Sequence, residues 1–156
     1  MKLEYRRGDL FKGPERAIAH GCNALGKMGK GFAKALADTY PEAAQIYLDQ
    51  PGYTLGQVIP WIGPDRIVLH LITQEKIQRK GEPRQRWVSY DAVRAAFAMI
   101  ERGAARHLAR QEGFFFDQPR LAIPKIGSDL GGGDWKEIEA IIEQEIASIQ
   151  VVVYEL

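Results

Sequence analysis

The chain of 156 residues contains a single cysteine, Cys22, so no disulfide can close within it and a reducing compartment is expected. No stretch approaches the roughly 18 apolar residues of a membrane-crossing helix. Met1 is followed by charged residues and a strand-like run, not by an apolar leader, and the expectation is a cytoplasmic protein with no membrane contact. An excess of one charge sign is also missing. Lys and Arg total 21 against 20 Asp and Glu, for a net charge of +1, which excludes a protein that coats polyanions by bulk charge. Any anion has to be bound locally. The three histidines, His20, His70 and His107, have no H-x-E or C-x-x-C spacing near them, so no metal is expected. His20 and His70 fall on strand-like runs and read as satisfied core histidines, and Cys22 has no evident base partner. Neither the G-x-G-x-x-G fingerprint nor the full P-loop pattern G-x-x-x-x-G-K-[ST] occurs in the glycine-rich stretches.

What is present is the composition of an ordinary globular domain, 46% hydrophobic and 26% charged. A chain of this length can bury one sizeable core without disulfides or metals. A single domain over residues 1–156 is expected, as a monomer and without a cofactor. Strand-like runs at 2–6, 16–22, 56–61, 66–73, 120–126 and 149–156 alternate with helical patterns. Phe32, Ala33, Ala35 and Leu36 begin one helix, broken at Tyr40-Pro41, and a second runs from Pro41 to about Leu48. Val93, Phe97, Ile100, Ala104 and Leu108 hold a helical period that ends before Gly113. Asp134 and Glu137 form a D-x-x-E capping pair ahead of Ile138, Ile141 and Ile142. Gly63-Pro64-Asp65 joins two strands as a hairpin, and the second, RIVLHLIT, reads as central. The apolar strands are too continuous for a sheet with one wet face, so a three-layer α/β/α sandwich is expected.

Two glycine-bearing loops carry the chemistry. The first, H-G-C-N-A-L-G-K-M-G-K-G from His20, follows a buried strand and opens a helix. Gly26, Gly29 and Gly31 allow close backbone approach, the helix N-terminus offers an anion site, and Asn23 has an amide suited to a ribose hydroxyl. The second, I-P-K-I-G-S-D-L-G-G-G-D-W from Ile123, repeats the strand, glycine loop, helix arrangement, and Ser128 adds a hydroxyl. In an open α/β sheet such loops share the carboxyl ends of the strands, where two flanking one crevice suit a pyrophosphate. The alternative is that both loops only turn the chain and that Asp134 only caps its helix.

These loops, with Gly8-Asp9-Leu10-Phe11 near the start and Val152-Val153-Tyr154 near the end, resemble the macrodomain family in order and over nearly the whole chain. N-A-x-G-x-M-G-x-G-x-A in the first loop is most similar to the subclass that contains the terminal ADP-ribose protein glycohydrolase. The resemblance implies a mixed central sheet and an ADP-ribose ligand, free or attached to a protein or nucleic acid. It implies that Asp9 accepts the adenine amino group with Leu10 or Phe11 beside the base. Asn23, Met28, Gly29 and Gly31 would surround the distal ribose, and Gly127, Ser128, Asp129, Leu130 and Gly131 the diphosphate. Tyr154 would lie near the adenine or proximal ribose. Taken singly, Asp9 is equally suited to capping a turn and Tyr154 to closing the core.

The pattern departs from that subclass at the catalytic positions. Gln74 stands where the glycohydrolase has a lysine after L-I-T, and Gly131 where it has an aspartate. A glutamine cannot form the Schiff base that a lysine amine can. A water oriented by Asn23 or Asp129 is the remaining route to hydrolysis of an acidic side-chain ester or another ADP-ribosyl linkage. The alternatives are a non-catalytic reader or an ADP-ribose-1″-phosphate phosphatase. The segment Glu75–Trp87 gathers five basic residues and is either a contact for the carrier of ADP-ribose or a solvated rim.

Overall fold

The computed structural model describes residues 2–128 and 131–156. Six strands form one sheet in the order β1-β6-β5-β2-β4-β3, with β1 at Glu4–Arg7, β2 at Ala17–Asn23, β3 at Val58–Ile62, β4 at Ile67–Gln74, β5 at Arg120–Ile123 and β6 at Gln150–Glu155. Only the β3–β4 pair is antiparallel, as the hairpin at Gly63 requires; there Gly63 N–H donates to Arg66 O at 2.8 Å. The other neighbours pair in parallel, and the sheet is mixed as expected. Strand β4 is buried along its length yet lies second from the edge, so it is not central. Helices on both faces, and not its place in the sheet, make it apolar.

The alternation along β2 shows the layers. Ala17 and Ala19 face α3 (Tyr90–Arg110) and α5 (Trp135–Glu145), in a cluster with Val93, Phe97, Ile138 and Ile142. Ile18 faces the other way, toward the 3₁₀ turn at Leu10–Lys12 and the aromatic rings of Phe32 and Tyr40. Helices α1 (Gly31–Thr39) and α2 (Pro41–Leu48) cover that face, where Leu36 and Ala43 are fully buried with Val68. Pro41 ends α1 and begins α2, since its fixed φ and missing N–H suit a first helical turn. Among the described residues no helix is long and apolar enough to cross a membrane.

The ends of the elements depart from the sequence pattern where tertiary contacts intervene. Strand β5 ends at Ile123 because Pro124 follows it and cannot donate to the ladder. A short helix, α4 at Phe114–Asp117, and the 3₁₀ turn are additions that no hydrophobic period announces. Asp134 caps α5 by accepting from Lys136 N at 3.0 Å, but its own N–H donates to Tyr90 Oη at 3.0 Å, where a capping box would have used Glu137.

Helix α3 stops at Gln111, which takes the left-handed conformation at φ 55° and donates its N–H to His107 O and Leu108 O. A side chain there carries a steric cost that glycine avoids. Gln111→Gly should therefore stabilise the fold by about 0.5–1 kcal/mol in chemical denaturation; a loss of stability would contradict that conformation.

Candidate functional site

The parallel strands β2, β5 and β6 end on one side of the sheet, and the chain there encloses a cleft of about 1180 Å³. Its wall includes Asp9, Leu10 and Phe11, the first loop at Asn23, Lys27, Gly29, Lys30 and Gly31, the second loop at Gly127, Ser128 and Gly131, and Tyr154. Segments separated by most of the chain length thus meet because their strands are parallel neighbours. Met28 is the exception among the described candidates: it packs away from the cleft, against the clusters around Tyr47 and Leu36. Asp129 and Leu130 lie outside the described residues.

Asp9 serves two ends. Its Oδ1 accepts from Phe11 N at 2.9 Å and caps the 3₁₀ turn, while the side chain is exposed on the cleft with its second oxygen free of that bond. Phe11 stacks on Phe32 at 5.2 Å between ring centroids and 15° between planes. The carbonyls of Phe11 and Gly13 both accept from Arg66 Nη2, at 3.0 and 2.9 Å. Tyr154 Oη donates to Glu15 Oε1 at 2.5 Å. Glu15 is only 1% exposed and has Arg6 and Arg120 nitrogens 3.7 Å from its other oxygen. Arg66 and Glu15 are thus the supports of the first wall, and sequence reasoning missed both. Nothing in a lone arginine after a turn, or a glutamate before a strand, marks it as a support of this wall.

The first loop is held by its own asparagine. Asn23 Oδ1 accepts from Leu25 N at 3.0 Å, Lys27 N at 3.2 Å and Tyr47 Oη at 2.9 Å, and Nδ2 donates to Lys27 O at 2.9 Å. One Nδ2 hydrogen is left for a ligand; the rest of the carboxamide shapes the loop. Helix α1 then starts at Gly31 behind Lys30, which makes no side-chain cap bond. The open N–H groups of its first turn, with the positive end of the helix dipole, lie at the cleft wall beside Gly29 and Gly31.

The second loop closes on the segment before α3. Gly131 O accepts from Trp87 N at 2.8 Å and Val88 N at 3.1 Å, and Gly133 N donates to Gly127 O at 2.7 Å. Gly127 has φ +72°, which a side chain rarely adopts. At Gly131 a Cβ would stand 2.7 Å from Gly127 O and 3.0 Å from Gln74 Oε1. The two positions at which the sequence departs from the glycohydrolase pattern therefore face each other, and the Gln74 amide is turned to Lys76 O at 2.7 Å. Ser128 Oγ donates to Lys125 O at 2.8 Å within the same loop. The basic segment after Gln74 is stapled by Gln78, which accepts from Trp87 Nε1 at 2.9 Å and donates to Glu82 O at 2.9 Å; Ile77 and Gln78 reach the cleft rim.

Under the first loop the structure corrects one expectation. Register pairs His20 with His70, and alternation puts Cys22 on the same face as His20. His20 Nε2 lies 2.7 Å from His70 Nδ1, His70 Nε2 2.8 Å from Ala43 O, and Cys22 Sγ 3.5 Å from His20 Nε2. The histidines are satisfied core groups as expected, but Cys22 does have imidazole neighbours. Two strands supply them, so no local spacing shows it. Because Ala43 O can only accept, His70 carries its proton on Nε2, and His20 donates from Nε2. Burial drives both imidazoles toward the neutral form: His70 falls to about 4, and His20 falls well below its ordinary value through burial and then the neighbouring His70. Burial also pushes the Cys22 thiol up, so it is not a nucleophile near neutral pH.

By fold and site, this is an α/β/α domain with a ligand cleft at the carboxyl ends of its parallel strands. No family model matches the chain. The ADP-ribose 1″-phosphate phosphatase of Candida glabrata is 25% identical over 181 residues, covering 99% of this chain and 98% of the relative. A solved protein of unknown function from Bacteroides thetaiotaomicron is 31% identical with a TM-score of 0.76, covering 100% of this chain and 99% of that one. A macrodomain protein from Streptomyces coelicolor is 26% identical with a TM-score of 0.72, covering 99% of both chains. Thermosipho africanus DarTG, solved in complex with ADP-ribose, shares the fold at 16% identity and a TM-score of 0.73, over 97% of this chain and 41% of that one. The chain has the macrodomain fold.

Two outcomes follow from this geometry. For His70 the folded value lies below the unfolded one, so stability is complete above about pH 6.5 and is lost as pH falls toward about 4, by about 3 kcal/mol for this group. Urea unfolding at about pH 7 and about pH 4.5 measures the loss, and His70→Gln should shrink the difference between the two. Gly131→Asp should destabilise the protein by about 1–3 kcal/mol, because the loop has no room for the added atoms. An unchanged unfolding midpoint would show that the loop yields.

Proposed function

We propose that this macrodomain binds ADP-ribose across the cleft and releases it from an ADP-ribosylated protein or nucleic acid. The observation that carries the reading is the union, in one cleft, of Asp9, the uncapped start of α1 and the second glycine loop. An adenine amino group donates to the free oxygen of Asp9. The ring lies against the Leu10-Phe11 wall and Tyr154. The diphosphate takes N–H groups of the Gly127–Gly131 loop and the helix dipole, where anions are stabilised with no need for bulk positive charge. The distal ribose falls to Asn23, Gly29 and Gly31.

With Gln74 and Gly131 in place of an amine and an acid, no covalent route through a lysine is available at those positions. Hydrolysis then depends on a positioned water, with Asn23 ordering the loop and Asp129 as the candidate base. The phosphatase name of the Candida glabrata relative supports a hydrolytic reading in which the leaving group is small. The contact between Gln74 and Gly131 supports the second reading, a reader that binds ADP-ribose without turnover.

Calorimetry with ADP-ribose, ADP and AMP tests the ligand. ADP-ribose should bind more tightly than ADP, and equal affinity would defeat the assignment. Asp9→Ala should weaken ADP-ribose by roughly ten- to a hundred-fold, the cost of one hydrogen bond to a charged group. Release of ADP-ribose from carboxylate-linked, nucleic-acid-linked and 1″-phosphorylated substrates separates enzyme from reader: tight binding with no release from any of them leaves only the reader. In an active protein Asp129→Ala should abolish turnover and spare binding.

A further inference from the structure

We infer that His20, Cys22 and His70 form a binding site for one divalent transition-metal ion of the zinc type beneath the first loop of the cleft. Their ligand atoms all lie within 4.8 Å of one another, and all three side chains are buried. Tetrahedral zinc with ordinary bond lengths separates two nitrogens by about 3.3 Å and a nitrogen from a sulfur by about 3.6 Å. Cys22 Sγ stands 3.5 Å from His20 Nε2 and 3.9 Å from His70 Nδ1. The sulfur is thus already at coordination distance from both nitrogens. Two adjustments remain: the His20–His70 pair, at 2.7 Å, opens by roughly half an ångström, and the His20 ring, whose Nδ1 and Nε2 stand 3.8 and 3.5 Å from the sulfur, turns its Nε2 toward the ion.

The surroundings favour that use. His70 Nε2 bonds to Ala43 O at 2.8 Å, the outer-sphere contact that fixes a ligating imidazole and leaves its Nδ1 lone pair toward the cluster. Phe32 and Tyr47 flank the two rings, so the ligands are held by packing before any ion arrives. His20 and Cys22 also line the cleft, which gives an ion a way in and leaves a fourth position facing the ligand space, the mark of an open site.

The proton balance is definite. Cys22 releases its proton when it binds the ion, since a coordinating thiol is ionised outright even where burial alone would keep it neutral. His20 moves its proton from Nε2 to Nδ1 with no net release. A dication and one thiolate leave a single positive charge under the cleft, which favours an anionic oxygen at the fourth position. Lewis-acid chemistry at that place would serve the hydrolysis that Gln74 and Gly131 do not. This consequence rests on the hydrolase reading above; the metal site itself does not.

Cobalt(II) added to chelator-treated protein, followed by zinc, tests the site. One equivalent of cobalt should give the intense visible bands of tetrahedral coordination and a near-ultraviolet sulfur-to-cobalt charge-transfer band, both removed by one equivalent of zinc. Cys22 is the only cysteine, so the charge-transfer band assigns the ligand without any variant. Calorimetry of zinc binding in two buffers of different ionisation enthalpy should report release of about one proton. Cys22→Ala should abolish the band, and His70→Gln, checked by circular dichroism for folding, should weaken zinc at least tenfold. Absence of a charge-transfer band in the folded wild-type protein would overturn the site, as would unchanged zinc affinity in a folded His70→Gln protein. ADP-ribose calorimetry on the same metal-free sample keeps a failed metal site distinct from a failed ligand assignment.

Discussion

The parallel pairing of β2 with β4 is the constraint on which the rest of the molecule depends. Their register runs from Ala17 opposite Ile67 to Cys22 opposite Ile72 and then shifts at Asn23, which pairs with Gln74. Side-chain alternation has a period of two, so a slip of one residue would turn the whole of β2 over, exposing His20 to α3 and burying Ala19 against the aromatics. The hydrogen bond between His20 and His70 stands in the middle of this register. A one-residue slip would strand two buried imidazoles, each at the cost of an unsatisfied polar group. The pair therefore acts as a key for the alignment as well as filling space.

What the register fixes is the position of the first loop relative to Gln74. The shift at Asn23 turns the chain away from β4 at the place where Ala24 N donates to Gln74 O at 2.8 Å. From there the asparagine folds the loop over itself, and α1 begins with its open end at the cleft. The second loop reaches the same place from β5, two strand positions from β4, and is fastened to the start of α3 through Gly131 O. The cleft is thus built from loops whose backbones are pinned on both sides. That suits a site in which N–H groups, and not flexible cations, do the recognising.

The elements legible in the sequence were those with an uninterrupted local signal. The period of α3, the hairpin at Gly63 and the strand, glycine loop, helix pattern on either side of the cleft could be read because each depends on residues close in the chain. Asp9, the two loops and Tyr154 could be gathered through their order. Met28 could not be placed by the same means: its motif position says that it belongs to the loop, but only packing decides that its side chain enters the core and not the cleft. Arg66 and Glu15 were invisible for the opposite reason. Each is a charged residue in a segment that reads as surface, and each is held by a partner far along the chain: Arg66, half-buried, by Phe11, and Glu15, buried, by Tyr154. The His20–His70–Cys22 cluster combines both difficulties, because its members look unrelated until two strands are aligned.

Near-neutrality has a further meaning once the cleft is seen. A dianionic ligand bound by long-range attraction would need a surplus of lysine and arginine, and its affinity would fall steeply with salt. Here the cations close to the cleft are few and exposed: Lys27, Lys30 and Lys125, the last paired with Glu155 at 3.2 Å. Binding through fixed amides and a helix terminus acts at hydrogen-bond range, where solvent ions screen little. Selectivity then comes from shape and from which groups must be matched at once. On the proposed reading, the Asp9 oxygen and the Asn23 loop are held by separate strands, so a ligand would gain both contacts only with an adenine-like donor and a second sugar joined by a diphosphate of the right length. On that reading shorter nucleotides would reach one wall and leave the other to water.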